Sequence, residues 1–167
     1  MALPQEFAGL KHRITANAYH RMGEAGVLAP EARVELIDGE IIDKAPIGSR
    51  HASVVNWLSR IIVGAVGERA IMQVQGPVRL DKFSEPEPDI ALLKPREDYY
   101  RDALPGAADV LLVIEVADST QRYDRRVKVR LYARHAIPGV WVIDMENSLA
   151  HFHRRPGGVA IEFTGIL

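Results

Sequence analysis

Alternation and period divide the chain before any single residue is considered. Residues 33–42, "RVELIDGEII", alternate apolar and polar around Asp38-Gly39, a dipeptide that readily takes the positive φ angles of a two-residue turn. An antiparallel hairpin is expected here. Upstream, Thr15 stands where its hydroxyl can accept from an orphan backbone N–H, which predicts an N-cap and a short helix to about Met22, with Gly26 beyond its end. From Ser49 to about Glu68, the residues Val54, Leu58, Ile61, Ile62 and Ala65 recur at helical spacing, predicting a long helix that lays one face on a sheet. "IMQVQ", "PVRL", "DIALL" and "VLLVIEV" read as strands, the last two apolar enough to be central. Residues 94–109 form the one long polar connection. A further helix is predicted from about Tyr123 to His135, followed by Pro138, the strand "VWVID" and a hairpin around "RRPGG". With no internal repeat and no linker, this order predicts one α/β domain over residues 1–167, a sandwich with a mixed central sheet flanked by helices.

Composition narrows the classes. A chain of 167 residues, 47% hydrophobic and 26% charged, is long enough to bury a core and has the balance of a soluble globular protein. The absence of cysteine removes disulfides, thiolate zinc sites and cysteine nucleophiles together, so any metal must be held by oxygen or imidazole. "MALPQEFAGLKHRITA" lacks the apolar core of a signal peptide, and no apolar stretch reaches the roughly 20 residues of a membrane span. A cytoplasmic protein with no membrane partner is expected. The net charge of −1 argues against a uniformly basic nucleic-acid coat. Locally, though, Arg122 to Arg134 carries six basic residues against one acidic, Asp124, a strip that can hold a phosphate backbone or simply form a solvated helix face.

Polar residues that break the apolar pattern point to chemistry. Glu115 follows five apolar residues of "VLLVIEV", near the C-terminal strand end where open α/β sheets gather ligands. A carboxylate there must be compensated by a cation, an arginine or a metal ion, because a bare charge in a dry interior costs several kcal/mol, of the order of 5. Asp89 makes the same demand at the mouth of "DIALL". If the two strands are neighbours, their carboxylates can converge on one divalent ion. Glu35 on "VELI" and Lys128, at the border of the apolar face of its helix, can complete such a site. Each also has a plainer reading: Glu35 on the exposed side of a hairpin, Asp89 as a strand-start residue satisfying local N–H groups, Glu115 paired to an arginine of "RYDRR", and Lys128 as one solvated charge among several.

"RVELIDGEII", "PEPDIALL" and "VIEVADSTQRYDRRVKVRLYARHAIPGVWVID" occur in matching order within a stretch from about Thr15 to Asp144, and together they resemble the signature segments of the Uma-two family. These are bacterial proteins of the restriction-endonuclease-like PD-(D/E)xK superfamily. The resemblance implies a restriction-endonuclease-like fold and a Mg2+ (or Mn2+) dependent endonuclease hydrolysing phosphodiester bonds of DNA, working as a homodimer. It implies that Glu35, Asp89, Glu115 and Lys128 are the catalytic set, with Asp89, Glu115 and Glu35 as metal ligands. His51, Arg122 and Arg125 are the expected substrate contacts. Two departures stand out. The superfamily's usual lysine lies two residues after the acidic residue, and that position is Ala117, which makes Lys128 the expected migrated equivalent. The chain also stops at "IEFTGIL", sooner than the family pattern leads one to expect. Ala117 and the near-neutral charge keep a second class open, a non-catalytic nucleic-acid-binding or assembly module on a nuclease fold.

Overall fold

The computed structural model describes residues 11–117, 122–154 and 163–166, with residues 122–125 and 163–166 described by their backbone. Helix α1 (Ala16–Glu24) starts as its cap residue dictates: Thr15 is extended and its Oγ1 accepts from the Ala18 N–H at 3.2 Å. Strands β1 (Val34–Ile37) and β2 (Glu40–Asp43) form the expected hairpin. Its turn places Asp38 at φ 51° and Gly39 at φ 82°, the pair of positive angles that matches the twist of two antiparallel strands. Gly39 is required twice over, since a Cβ there would fall 2.6 Å from Cβ of Arg13.

Helix α2 (Ser49–Val66) buries His51, Val55, Leu58 and Ile62. The phase differs from the expected stripe: Val55 replaces Val54 as the buried valine, and Ile61 is 48% exposed. Apolar residues occur on more than one side of this helix, so periodicity alone could not fix its rotation, and His51, a polar residue on the buried side, was invisible to it.

A six-stranded sheet follows, β3 (Ile71–Val74), β4 (Ile90–Leu93), β5 (Val110–Ala117), β6 (Gly139–Asp144), β7 (Leu149–Arg154) and β8 (Phe163–Ile166), in that spatial order. Every neighbouring pair is antiparallel except β5 and β6. Those two are parallel because helix α3 (Arg122–Arg134) carries the chain back across the sheet between them. The residues between β7 and β8, where a turn at "RRPGG" was expected, lie outside the described residues, as do Asp118, Ser119 and Thr120.

"PVRL" does not form a ladder strand. Val78 and Leu80 are buried as a strand would bury them, but the segment makes only isolated bridges, Arg79 with Gly106 and Asp81 with Ser84. Prolines explain this. Pro77, Pro86, Pro88 and Pro105 flank the segment and its neighbours, and each lacks the N–H that a continuous ladder would need.

The sheet has two different faces. Val55, Leu58 and Ile62 of α2 pack with Ile90, Leu92, Ile114, Val116 and Ile143 on one side. On the other, Leu131 and Tyr132 of α3 and Ile37 of the hairpin pack with Ala91, Val113, Ala117, Val140 and Val142. Strand alternation then decides where Glu115 goes: lying between Ile114 and Val116, it must face the side of α3 and the hairpin. Among the described residues no helix is long and apolar enough to cross a membrane.

Candidate active site

The antiparallel register pairs Ile90 with Ile114, so one step beyond that pair Asp89 and Glu115 lie side by side on adjoining strands. Asp89 Oδ2 accepts from the Val116 N–H at 2.8 Å, and its Oδ1 lies 3.2 Å from His51 Nε2 in the first turn of α2. From above, β1 supplies Glu35, which is 1% exposed. Its Oε2 accepts from the Glu87 N–H at 2.9 Å. Helix α3 turns Lys128 inward beside Leu131 and Tyr132. The ammonium Nζ stands between two carboxylates, 3.0 Å from Glu35 Oε1 and 3.4 Å from Glu115 Oε1. Glu35 Oε1 has this ion pair but no aligned hydrogen-bond donor. The Tyr132 hydroxyl completes the cluster, donating to Glu115 Oε1 at 2.6 Å.

The five residues Glu35, His51, Asp89, Glu115 and Lys128 thus come together from β1, α2, the mouth of β4, β5 and α3. The plainer readings of Glu35 and Lys128 do not hold: Glu35 is buried, and Lys128, at 4% exposure, is not a solvated charge. Its four-carbon stem allows burial while the ammonium meets the acids. The Lys128 ammonium lies beside Glu115, so the helix supplies the cation that the Ala117 position lacks. Arg122 and Arg125 stand in the first turn of α3, and their side chains lie outside the described residues. Arg126 and Arg130, further along, are exposed.

Electrostatics follow from this crowding. Burial pushes the Glu115 carboxyl up to about 7; the charges of Asp89 and Glu35 push the same way, against Lys128 and the Tyr132 hydrogen bond. For Asp89 burial also acts upward, but the His51 bond, the Val116 N–H and the charges of His51 and Lys128 outweigh it and hold the carboxyl below its usual range. The Asp89 hydrogen bond raises the His51 imidazole, against burial and the charge of Arg33. Asp89, Glu115, His51 and Lys128 line one small cleft with a volume of about 40 Å³, together with Arg33, Lys44, Ala45, Pro46, Ile47 and Glu87. That is room for an ion with a water or two.

The donors are carboxylate oxygens, the hard ligands that Mg2+ prefers. Among the described residues no three His, Asp or Glu side chains already stand as a metal-binding group, and the space between the acids is held by the Lys128 ammonium. What fits a cation is the excess of anions, together with the buried Glu35 oxygen that lacks an aligned donor. A second positive charge would relieve both.

A model of the Uma2 family, described as "Putative restriction endonuclease", matches residues 16–165. The chain belongs to this family. Among solved structures, a crystal structure described as "a putative nuclease belonging to DUF820 from Anabaena variabilis ATCC 29413" superposes with a TM-score of 0.70 at 16% identity, covering 90% of this chain and 83% of that one. The likeness shows a restriction-endonuclease-like fold. No curated protein matches the chain. Within the Uma2 frame, four polar residues of the cleft or cluster were not anticipated from the sequence: Tyr132, Arg33, Lys44 and Glu87. Tyr132 carried a signal, because a tyrosine on the buried face of a helix must find a partner for its hydroxyl. The other three carried none, being charged residues beside turns and prolines.

Proposed function

We propose that the protein is an endonuclease that hydrolyses phosphodiester bonds of DNA with Mg2+ or Mn2+. The observation that supports this best is the Lys128 ammonium shared between Glu35 and Glu115 at the sheet end where Asp89 opens into the cleft. Asp89 and Glu115 would hold the ion, with Glu35 as the third acidic member behind Lys128. The chemistry a bound ion supplies is positive charge for the phosphoryl oxygens and a lower pKa for water.

This chain's own groups do the rest. Lys128 donates to the attacking water and to the oxygens that gain charge, in a site where low polarity makes each such bond strong. Tyr132 and the Val116 N–H fix the carboxylates of Glu115 and Asp89, so the acids are oriented before substrate arrives. His51 steadies Asp89 from α2 and lines the cleft, where it would meet the substrate. At the start of α3, Arg122 and Arg125 would contact the neighbouring backbone. The family resemblance extends this reading to a homodimer in the cytoplasm.

Cleavage of supercoiled and single-stranded DNA in Mg2+ or Mn2+ tests it, with Asp89→Asn purified in parallel. Metal-dependent cutting that the variant loses is the expected result. A second reading, a nucleic-acid-binding or assembly module without turnover, draws on the lack of a ready-made three-donor metal group among the described residues. Binding that persists without metal and ignores Asp89→Asn, with no cutting by either protein, would favour it.

A further inference from the structure

At the open end of the hairpin the cleft changes sign. Arg33 and Lys44 stand just outside the ladder that pairs Val34 with Asp43, and the Lys44 N–H donates to Arg33 O at 2.7 Å. Both line the cleft with Asp89, Glu115 and Lys128. Lys44 is no ordinary surface lysine: its side chain is 11% exposed, and its ammonium lies 2.9 Å from Glu87 Oε2 and 3.1 Å from Glu87 O. Arg33 gives Nη1 to Ala45 O at 2.6 Å. The partner, Glu87, is anchored by its backbone to Glu35 while its side chain is 31% exposed. Closing a hairpin requires none of this, because the Lys44 to Arg33 backbone bond already extends the ladder.

A phosphodiester approaching Asp89, Glu115 and Glu35 meets like charge, so it needs cations at the entrance as well as at the centre. We propose that Lys44 and Arg33 form a clamp for the phosphate next to the scissile bond, and that the Glu87 carboxylate stands in for that phosphate in the free protein. The clamp rests on the nuclease reading and adds a substrate contact to it. When nucleic acid enters, Lys44 exchanges one anion for another and the Glu87 side chain turns out to solvent. Lys44 therefore keeps a partner in both states. Glu87 acts as a built-in competitor that sets how tightly the backbone is held.

The two halves of the clamp give opposite predictions. Fluorescence polarisation of a labelled duplex of about 20 base pairs, with Ca2+ replacing Mg2+ and KCl varied over about 50 to 200 mM, compares the intact protein with Lys44→Gln, Arg33→Gln and Glu87→Gln. Lys44→Gln should weaken binding about five- to tenfold and flatten the salt slope by about one phosphate contact, with Arg33→Gln weaker in the same direction. Glu87→Gln should tighten binding about threefold. Damage to the fold can weaken binding but cannot tighten it, so the Glu87 arm guards against a misfolded lysine variant. The clamp is overturned if Lys44→Gln and Glu87→Gln both stay within twofold of the intact protein, or if both weaken it. In those cases the intact protein still binds, and the nuclease reading survives. An intact protein that binds neither duplex nor single strand removes that reading and the clamp with it.

Discussion

Glu85 and Glu115 are both sealed inside the protein, at 3% and 9% exposure, yet their surroundings differ in kind. Each oxygen of Glu85 has its own partner: Oε1 lies 2.7 Å from His20 Nε2, and Oε2 accepts from Arg79 Nε at 2.8 Å. Both partners extend to solvent, so the charge is passed outward to water. The backbone of Glu85 also bridges to Leu36, and the result is a staple joining α1, the hairpin and the segment after Pro77. Glu115 instead shares one lysine with Glu35, takes a phenol bond from Tyr132, and has Asp89 beside it. One carboxylate is matched and the other is crowded. A buried acid whose partners are complete is architecture; an acid in a group where anions outnumber cations is poised to accept another cation.

The largest effect that would break this contrast is removal of the shared cation. Lys128→Met should destabilise the metal-free protein by about 3 kcal/mol or more, since it strands two buried carboxylates, and should abolish cleavage; urea unfolding and a plasmid assay measure the two. A variant as stable as the parent would mean the acids are less coupled than their distances imply.

Next in size, Asp89→Asn should lower metal-dependent cleavage by at least about 100-fold, because even residues outside a metal's ligand shell cost about 10- to 100-fold. The variant should keep its fold, the amide oxygen still accepting from the Val116 N–H, while the charged contact with His51 is lost. Glu85→Gln should do the reverse, costing about 1–2 kcal/mol of stability through loss of its charged hydrogen bonds while leaving cleavage near the parental rate. If Glu85→Gln silenced the protein and Asp89→Asn did not, the roles of the two regions would have to be exchanged.

A further effect is one of pH. With its carboxyl raised from 4.5 to about 7, Glu115 binds a proton more tightly in the folded chain than in the unfolded one. Its contribution to stability is therefore full below about 4.5 and is lost as pH rises through about 7. Urea midpoints of the metal-free protein between pH 5 and pH 8, on either side of that shift, should fall less in Glu115→Gln than in the parent, and Mg2+ should reduce the parental fall. Equal slopes in parent and variant would show that Glu115 is not the crowded member.

Much of this molecule was legible in the chain. Thr15 as a cap, Asp38-Gly39 as a turn, and the apolar strands "DIALL" and "VLLVIEV" depend on local sterics and on burial of short runs, so they read directly. Misreadings fell where a local signal had to compete with its surroundings. "PVRL" has a strand's apolar residues but prolines on every side, and α2 has enough apolar residues around it that its rotation awaited a sheet to pack on. The site divides in the same way. Asp89 announced itself at the mouth of an apolar run and Glu115 by interrupting one. Arg33, Lys44 and Glu87 look like ordinary polar residues until the hairpin closes over the strand ends.

What the amino-acid order determined alone was most of the elements, "PVRL" excepted, and the two acids beside apolar runs. Their being neighbours was a matter of register, Ile90 against Ile114. That Lys128 and Glu35 turn inward rather than to water was decided by packing, with α3 docked through Leu131 and Tyr132 and the hairpin bridged at Leu36 to Glu85. The physical reason is range. Caps, turns and periodicity act within a few residues, whereas the shared charge of Lys128 joins residues from Glu35 to Glu115 that only the folded chain brings within 3.4 Å of one ammonium.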